Sequence, residues 1–206
     1  MTRKYNDKVL VLATHNTGKV NEIKNLLNPL KIKSISARDL NIPEPIEDGL
    51  TFIENAEIKS RASARTSGFP ALADDSGLVV PILDGDPGIY SARWAFDPIK
   101  NTRNFSMAIN KIEKTIQKKG ENISGQPAHF VCALSLCWPD GDVETVEGVV
   151  SGSLTFPPKG SNGFGYDPIF IPENHVLTFG QMTPKKKDLI SHRTIAFKKL
   201  VEKCFT

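Results

Sequence analysis

From Ala128 to Trp138 the chain changes period in a way that few folds accommodate. Ala128, Phe130, Cys132, Leu134, Leu136 and Trp138 alternate with His129, Val131, Ala133, Ser135 and Cys137. A period of two places alternate side chains on opposite faces of a strand, so this is one long strand with apolar residues on both faces. Pro139-Asp140-Gly141-Asp142 then turns the chain into a second run, Val143 to Val150, which makes an antiparallel hairpin. Elsewhere the period is helical or the apolar run is short. Val9 to Ala13 reads as a buried strand, followed by a helix with Val20, Ile23, Leu26 and Leu27 on one side. Thr51-Phe52-Ile53-Glu54 has a capping-box pattern and opens a helix that runs through Lys59 to about Arg65. Asn101 to Gln117 carries Phe105, Ala108, Ile112 and Ile116 at helical spacing, and a last helix starts near Ser191 with Ile195, Phe197, Leu200 and Val201 available for burial. Strand–helix units joined to a long hairpin predict an α/β fold.

The 206 residues contain no internal repeat or low-complexity linker, so residues 1–206 read as a single domain. Hydrophobic residues at 39% and charged residues at 24% are the proportions of a soluble globular protein. A net charge of +3 is too weak to argue for nucleic acid, but it suits a small polyanion on which a few cations converge. No apolar stretch is long enough to span a membrane, and Met1 to Asp7 lacks a signal-peptide core. Cys132 and Cys137 are odd-spaced in one strand and face opposite sides, and Cys204 stands apart near the end. Three scattered cysteines fit a reducing cytosol and indicate neither a disulfide framework nor a zinc site.

Chemistry concentrates in a few segments. Phe69 to Ala73 is an apolar run that breaks off into Asp74-Asp75-Ser76-Gly77. Ionised carboxylates at the end of a buried strand need a cation, which points to a divalent metal and a catalytic base; the same residue types also make ordinary turns. Thr14-His15-Asn16-Thr17-Gly18-Lys19 fills a strand-to-helix turn, where free N–H groups and the helix dipole attract an anion. Gly18-Lys19 matches half a P-loop, but the first glycine is missing and Val20 stands where Ser or Thr would hold magnesium. Glu44, Glu47 and Asp48 lie in a segment broken by Pro43 and Pro45. In Ser161 to Pro168, glycines bracket Phe164 and Tyr166, so a flat ligand could stack there, although a glycine-rich hairpin with buried aromatics reads equally from the residues. Lys185-Lys186-Lys187 reads most simply as a solvated run. His192 and Arg193 follow Ser191 in the first turn of the last helix, where cations oppose the dipole and a negatively charged or keto-bearing ligand would compensate.

Taken in order, Ala13 to Lys19, Gly49 to Ala56 with Lys59, Ala73 to Leu78, Gly85 to Arg93, Gly163 to Phe170 and Ile190 to Arg193 resemble the inosine/xanthosine triphosphate pyrophosphatases, also called HAM1-like. The resemblance covers essentially the whole chain. It implies a mixed, elongated β-sheet flanked by helices, in two lobes with a central cleft. It further implies Mg2+-dependent hydrolysis of inosine and xanthosine triphosphates and their deoxy forms to the monophosphate and pyrophosphate, clearing deaminated purines from the nucleotide pool. Asp75 would be the catalytic base and, with Glu47, a metal ligand. Thr14, His15, Asn16, Thr17, Gly18, Lys19, Lys59 and Lys187 would bind the triphosphate, and Ser76 would contact the substrate. Phe164, Gly165, Tyr166, Asp167, His192 and Arg193 would recognise the base. The implied protein is a cytoplasmic homodimer whose partner is a small nucleotide, with no stable nucleic acid and no membrane. A Maf-like pyrophosphatase acting on other modified nucleotides is the related alternative, and Ser191-His192-Arg193 argues against it. A non-catalytic nucleic-acid-binding protein is the alternative of another class; it calls for a basic stripe, whereas acidic residues here lie scattered among the basic ones.

Overall fold

Strands and helices alternate through the first half of the chain, and a long pair of strands dominates the second. The computed structural model describes residues 2–206. In chain order the elements are β1 (Val9–Leu12), α1 (Thr17–Leu27), β2 (Lys33–Ser36), α2 (Phe52–Ser67), β3 (Ala71–Val79), α3 (Ser91–Trp94), β4 (Phe96–Asp97), β5 (Thr102–Arg103), α4 (Phe105–Lys118), β6 (Pro127–Cys137), β7 (Val143–Leu154), β8 (Phe170–Pro172), α5 (Pro184–Ile190) and α6 (His192–Cys204). Six strands form one sheet in the order β2-β1-β3-β6-β7-β8, and β4 pairs with β5 separately. β1 runs parallel to β2 and β3, while β7 and β8 are antiparallel, so the sheet is mixed as expected.

The helices begin where the sequence provides caps. Asn16 accepts from the Lys19 amide at the start of α1, and Asn104 accepts from Met107 at the start of α4. At α2 the Thr51 hydroxyl accepts from the Glu54 amide while the Glu54 carboxylate accepts from Thr51, a complete capping box, and Gly68 closes the helix in the left-handed region. Removing the Thr51 hydroxyl would cost about 1 kcal/mol.

The chain divides into two compact units. The first holds the chain through Asp75, Cys132–Gly148 and the segment from His192 onward. Alternation in its strands supplies two cores. Leu10, Leu12, Leu72, Cys132, Leu134 and Leu136 pack with Ile23 and Leu27 of α1 and with Ala196 and Leu200 of α6. Val11, Ala13, Ala71, Ala73 and Cys137 pack on the other side with Ala64 of α2. Cys132 and Cys137 therefore do face opposite sides, and all three cysteines are free and buried. Gly148 lets α6 come close, because a Cβ there would lie 2.2 Å from the His192 carbonyl oxygen and 2.4 Å from the Ala196 nitrogen.

The second unit holds Ser76–Val131 and Val149–Ser191. Its core joins Leu78, Val80, Phe130, Leu154, Phe170 and Phe179 to Ala108, Ile109, Ile112 and Ile116, the apolar stripe of α4. Phe130 meets Phe170 edge-on, with ring centroids 4.7 Å apart.

Three elements and one side chain differ from the sequence reading. β3 starts at Ala71 and continues to Val79, so Asp74 and Asp75 lie inside the strand and not at its end, and Phe69 is exposed ahead of it. The strand continues through Asp74 and Asp75, where cations meet both side chains. Helix α4 starts at Phe105 and not at Asn101, because Thr102 and Arg103 pair with β4 and Asn104 takes the cap. β7 runs past Val150 to Leu154, held by β8. Tyr166 is buried in the core of the second unit, its hydroxyl donating to the Ser91 carbonyl, so it is not part of an exposed aromatic pair.

Candidate active site

In the first unit, β1 delivers the Thr14–Lys19 turn, β3 delivers Asp74 and Asp75, and α2 delivers Lys59. Thr14 is buried and its hydroxyl accepts from the Asn16 amide. The His15 ring nitrogen Nε2 lies 2.9 Å from the Ile42 carbonyl, Thr17 is exposed, and Gly18 is half-buried. Lys19 reaches across to β3 and pairs with Oδ1 of Asp74.

Asp74 and Asp75 have separate partners. Asp74 is fully buried; its Oδ2 accepts from Nε of Arg193 at 2.8 Å and from the Cys132 thiol at 2.9 Å. Arg193 also bonds Glu22 through Nη1. Burial opposes ionisation of Asp74, but Arg193 and Lys19 outweigh it and hold the carboxyl well below its ordinary value. Burial, and after it the Asp74 carboxylate, push the Cys132 thiol well above its usual range, so Cys132 serves as a neutral donor. The cations at the start of α6 are thus compensated at Arg193 by two carboxylates of the chain itself.

Asp75 faces Lys59. Nζ of Lys59 lies 2.8 Å from Oδ1 of Asp75 and 2.7 Å from Oε1 of Glu47, which brings the expected pair of metal carboxylates to one point. Burial disfavours the Lys59 charge, yet Asp75 and Glu47 outweigh it and raise its pKa. The Asp75 pKa is raised above its ordinary value, chiefly by burial, and Lys59 and Lys19 only partly offset this. Both carboxylates meet the ammonium of Lys59. Oδ2 of Asp75 is buried and accepts no hydrogen bond. Asp48 beside Glu47 is exposed.

No group of three or more His, Cys, Asp or Glu residues suited to a metal ion occurs among the described residues. Magnesium does not require one, since it is commonly held by one or two carboxylates plus substrate phosphates and water. Glu47 and Asp75 are hard oxygen donors, and the orphaned Oδ2 of Asp75 gives a cation a direct role, so these residues fit the ion.

The second unit carries its own cluster. Lys187 is buried, not solvated with Lys185 and Lys186, and its Nζ lies 2.6 Å from Oδ2 of Asp167. The same oxygen accepts from the Phe164 amide at 2.9 Å, and the Lys187 ammonium lies 4.9 Å from the centre of the Phe164 ring. Phe164, Gly165 and Ser76 are half-buried, and His192, in the first unit, is buried. Lys187 and Asp167 thus fix the Phe164 loop.

Sequence reasoning missed Glu22 and left Asp74 without a role. Helical spacing carried a signal for Glu22, which follows Lys19 by three positions and so shares its face of α1.

Comparisons with known proteins place the chain in a family. A family model described as the Ham1 family matches residues 10–203. Over 195 residues the chain is 53% identical to the dITP/XTP pyrophosphatase of Zymomonas mobilis, covering 95% of this chain and 91% of that one. It is 51% identical to the dITP/XTP pyrophosphatase of Rhodospirillum centenum, with 98% of each covered. Among solved structures, a HAM1 protein from Coxiella burnetii superposes with a TM-score of 0.84 at 35% identity, covering 95% of this chain and 98% of that one. The chain belongs to the Ham1 family.

Proposed function

We propose that this protein hydrolyses deaminated purine nucleoside triphosphates, those of inosine and xanthosine in ribo and deoxy form, to the monophosphate and pyrophosphate. The observation that carries the reading is the cluster of Asp75, Lys59 and Glu47 beside Lys19, in a chain whose relatives of similar length are named dITP/XTP pyrophosphatases. Dependence on a metal ion is general in the family, and we assign magnesium to Glu47 and Asp75. Bound there, the ion would neutralise phosphate charge and lower the pKa of a water.

Lys59 orients the Asp75 carboxylate through Oδ1, and that carboxylate accepts a proton from the water that attacks the α-phosphorus. The bond from that phosphorus to the bridging oxygen breaks and pyrophosphate departs. Lys19, Lys59 and the N–H groups of Thr14 to Gly18 offset the charge of the triphosphate chain. Ser76 contacts the substrate. The loop of Phe164 to Asp167, braced by Lys187, stacks on the base, and His192 and Arg193 read its keto oxygen. Residues 1–206 act as one pyrophosphatase domain. We place the enzyme in the cytoplasm, where the free nucleotide pool is, as a homodimer with no stable nucleic-acid partner. None of the described helices is long and apolar enough to cross a membrane.

The test is hydrolysis of inosine triphosphate in heavy-oxygen water, followed by phosphorus NMR. The label is expected on inosine monophosphate, with unlabelled pyrophosphate. Release of inosine diphosphate and orthophosphate would refute the reading.

A further inference from the structure

Asn55 is the one fully buried amide side chain on the inner stripe of α2, in a chain segment whose other buried members include Phe52, Ala56, Ala64 and the serines Ser60 and Ser63. Its Oδ1 accepts from the Gly49 amide at 3.0 Å, and its Nδ2 is buried without a hydrogen-bond partner. The Gly49 N–H fixes which end of the amide faces the loop. An orphaned donor makes Asn55 a poor packing residue, so its acceptor is what suits it to this position. Gly49 lies two residues after Glu47, and Asn55 lies one helical turn before Lys59, the lysine that Glu47 meets. Gly49 itself has no room for a side chain, since a Cβ there would lie 2.7 Å from Cβ of Glu54 and 2.8 Å from Oδ1 of Asn55. On the helix side the capping box holds Leu50 and Thr51, both amides donating to the Glu54 carboxylate. The acidic segment is thereby tied to α2 at three consecutive amides, Gly49, Leu50 and Thr51, of which Gly49 is nearest to Glu47. The residues ahead of it, Pro43 to Asp48, form no helix or strand, and Ile46 is 84% exposed.

We propose that Asn55 is a positioning residue for the metal site: through Gly49 it sets the place of the Glu47 carboxylate beside Asp75. The proposal rests on the assignment of Glu47 and Asp75 to a divalent ion. Its energetic logic is that of groups that orient metal ligands, whose loss commonly weakens metal binding by about 10- to 100-fold. The Gly49→Ala substitution acts on the same tether from the other side.

The experiment measures binding of Mn2+ alone to the full chain by electron paramagnetic resonance, together with amide hydrogen exchange. Asn55→Ala and Gly49→Ala are expected to raise the Kd for Mn2+ by about tenfold. In Asn55→Ala the residue-49 amide should exchange roughly tenfold faster or more, while the amides of β1 and β6 keep their protection. Asn55→Asp retains an acceptor and should restore protection of that amide. If Glu47→Gln weakens Mn2+ binding and Asn55→Ala does not, the positioning role is overturned. If neither substitution weakens it, the assignment of Glu47 to the metal is overturned instead. Acceleration of β1 and β6 amides together with residue 49 in both Asn55→Ala and Gly49→Ala would show a role in global stability and likewise overturn the proposal.

Discussion

Asp74 and Asp75 are neighbours in β3, yet they turn to opposite faces of the strand and meet different cations. Asp74 shares its face with Leu72 and bonds Lys19, Arg193 and Cys132; Asp75 shares its face with Ala73 and bonds Lys59. One carboxylate is saturated by its partners and the other keeps an open oxygen. This asymmetry is the ground on which we propose Asp75, and not Asp74, as the base.

Substitution should separate the two. Asp75→Asn is expected to lower kcat by about 10²- to 10⁴-fold, the usual range for a positioned base, with a smaller effect on nucleotide binding. Asp74→Ala leaves Arg193 buried without one of its two carboxylates, and breaking such a buried pair costs about 3–5 kcal/mol. Urea denaturation read by fluorescence should show that loss for Asp74→Ala and little change for Asp75→Asn. Equal stability losses would remove the distinction.

The pH profile follows from the raised pKa of Asp75. Its basic form is lost as pH falls through a value above the ordinary 3.8, so the acid limb of kcat/KM should lie above that pH. The linked effect on stability has the opposite sense to that of Asp74. With a raised folded-state pKa, Asp75 lowers stability as pH rises from 3.8 through its folded value, because the folded state there holds the extra proton. Asp74, depressed, contributes stability above 3.8 that is lost as pH falls toward its folded value. Raising magnesium should move the acid limb to lower pH, since a cation favours the carboxylate. A limb independent of magnesium would place the ion elsewhere.

Arg193 provides a test of base recognition. Hypoxanthine and xanthine carry a keto oxygen where adenine carries an amino group, and a buried donor left facing an amino group discriminates strongly. Arg193→Ala should cut kcat/KM for inosine triphosphate far more than for adenosine triphosphate, alongside a loss of stability from removing the guanidinium that meets Asp74 and Glu22. Measuring both substrates on the same preparation removes the common stability effect. An equal loss would mean that base recognition lies elsewhere.

The Lys187–Asp167 pair should matter for KM more than for kcat. Asp167→Ala removes a carboxylate from a buried ammonium and releases the Phe164 amide. The expected result is a KM for inosine triphosphate raised about tenfold or more, the size of a lost charge-assisted hydrogen bond. Inhibition by inorganic pyrophosphate, which has no base to stack, should stay near its original strength. Weakened pyrophosphate inhibition would return Lys187 to the phosphate end.

The sequence by itself determined the elements and the residue blocks. Periods of two and 3.6 residues, the Thr51–Glu54 box and the turn at Pro139–Asp142 act over a few positions, so their outcome is written locally. The local signals failed where a distant partner decided the matter. Asn101 to Asn104 carried no sign of the short pairing with β4, and Asp74-Asp75 reads as a strand end because unpaired carboxylates would end one. Only the tertiary structure brought Lys19 and Arg193 to Asp74 and Lys59 to Asp75, drew Lys187 out of a lysine run onto Asp167, and placed Tyr166 in a core. A charge can stay buried only when another meets it, and the partner of Asp74 in α6 lies 119 positions along the chain, where no local pattern can reveal it.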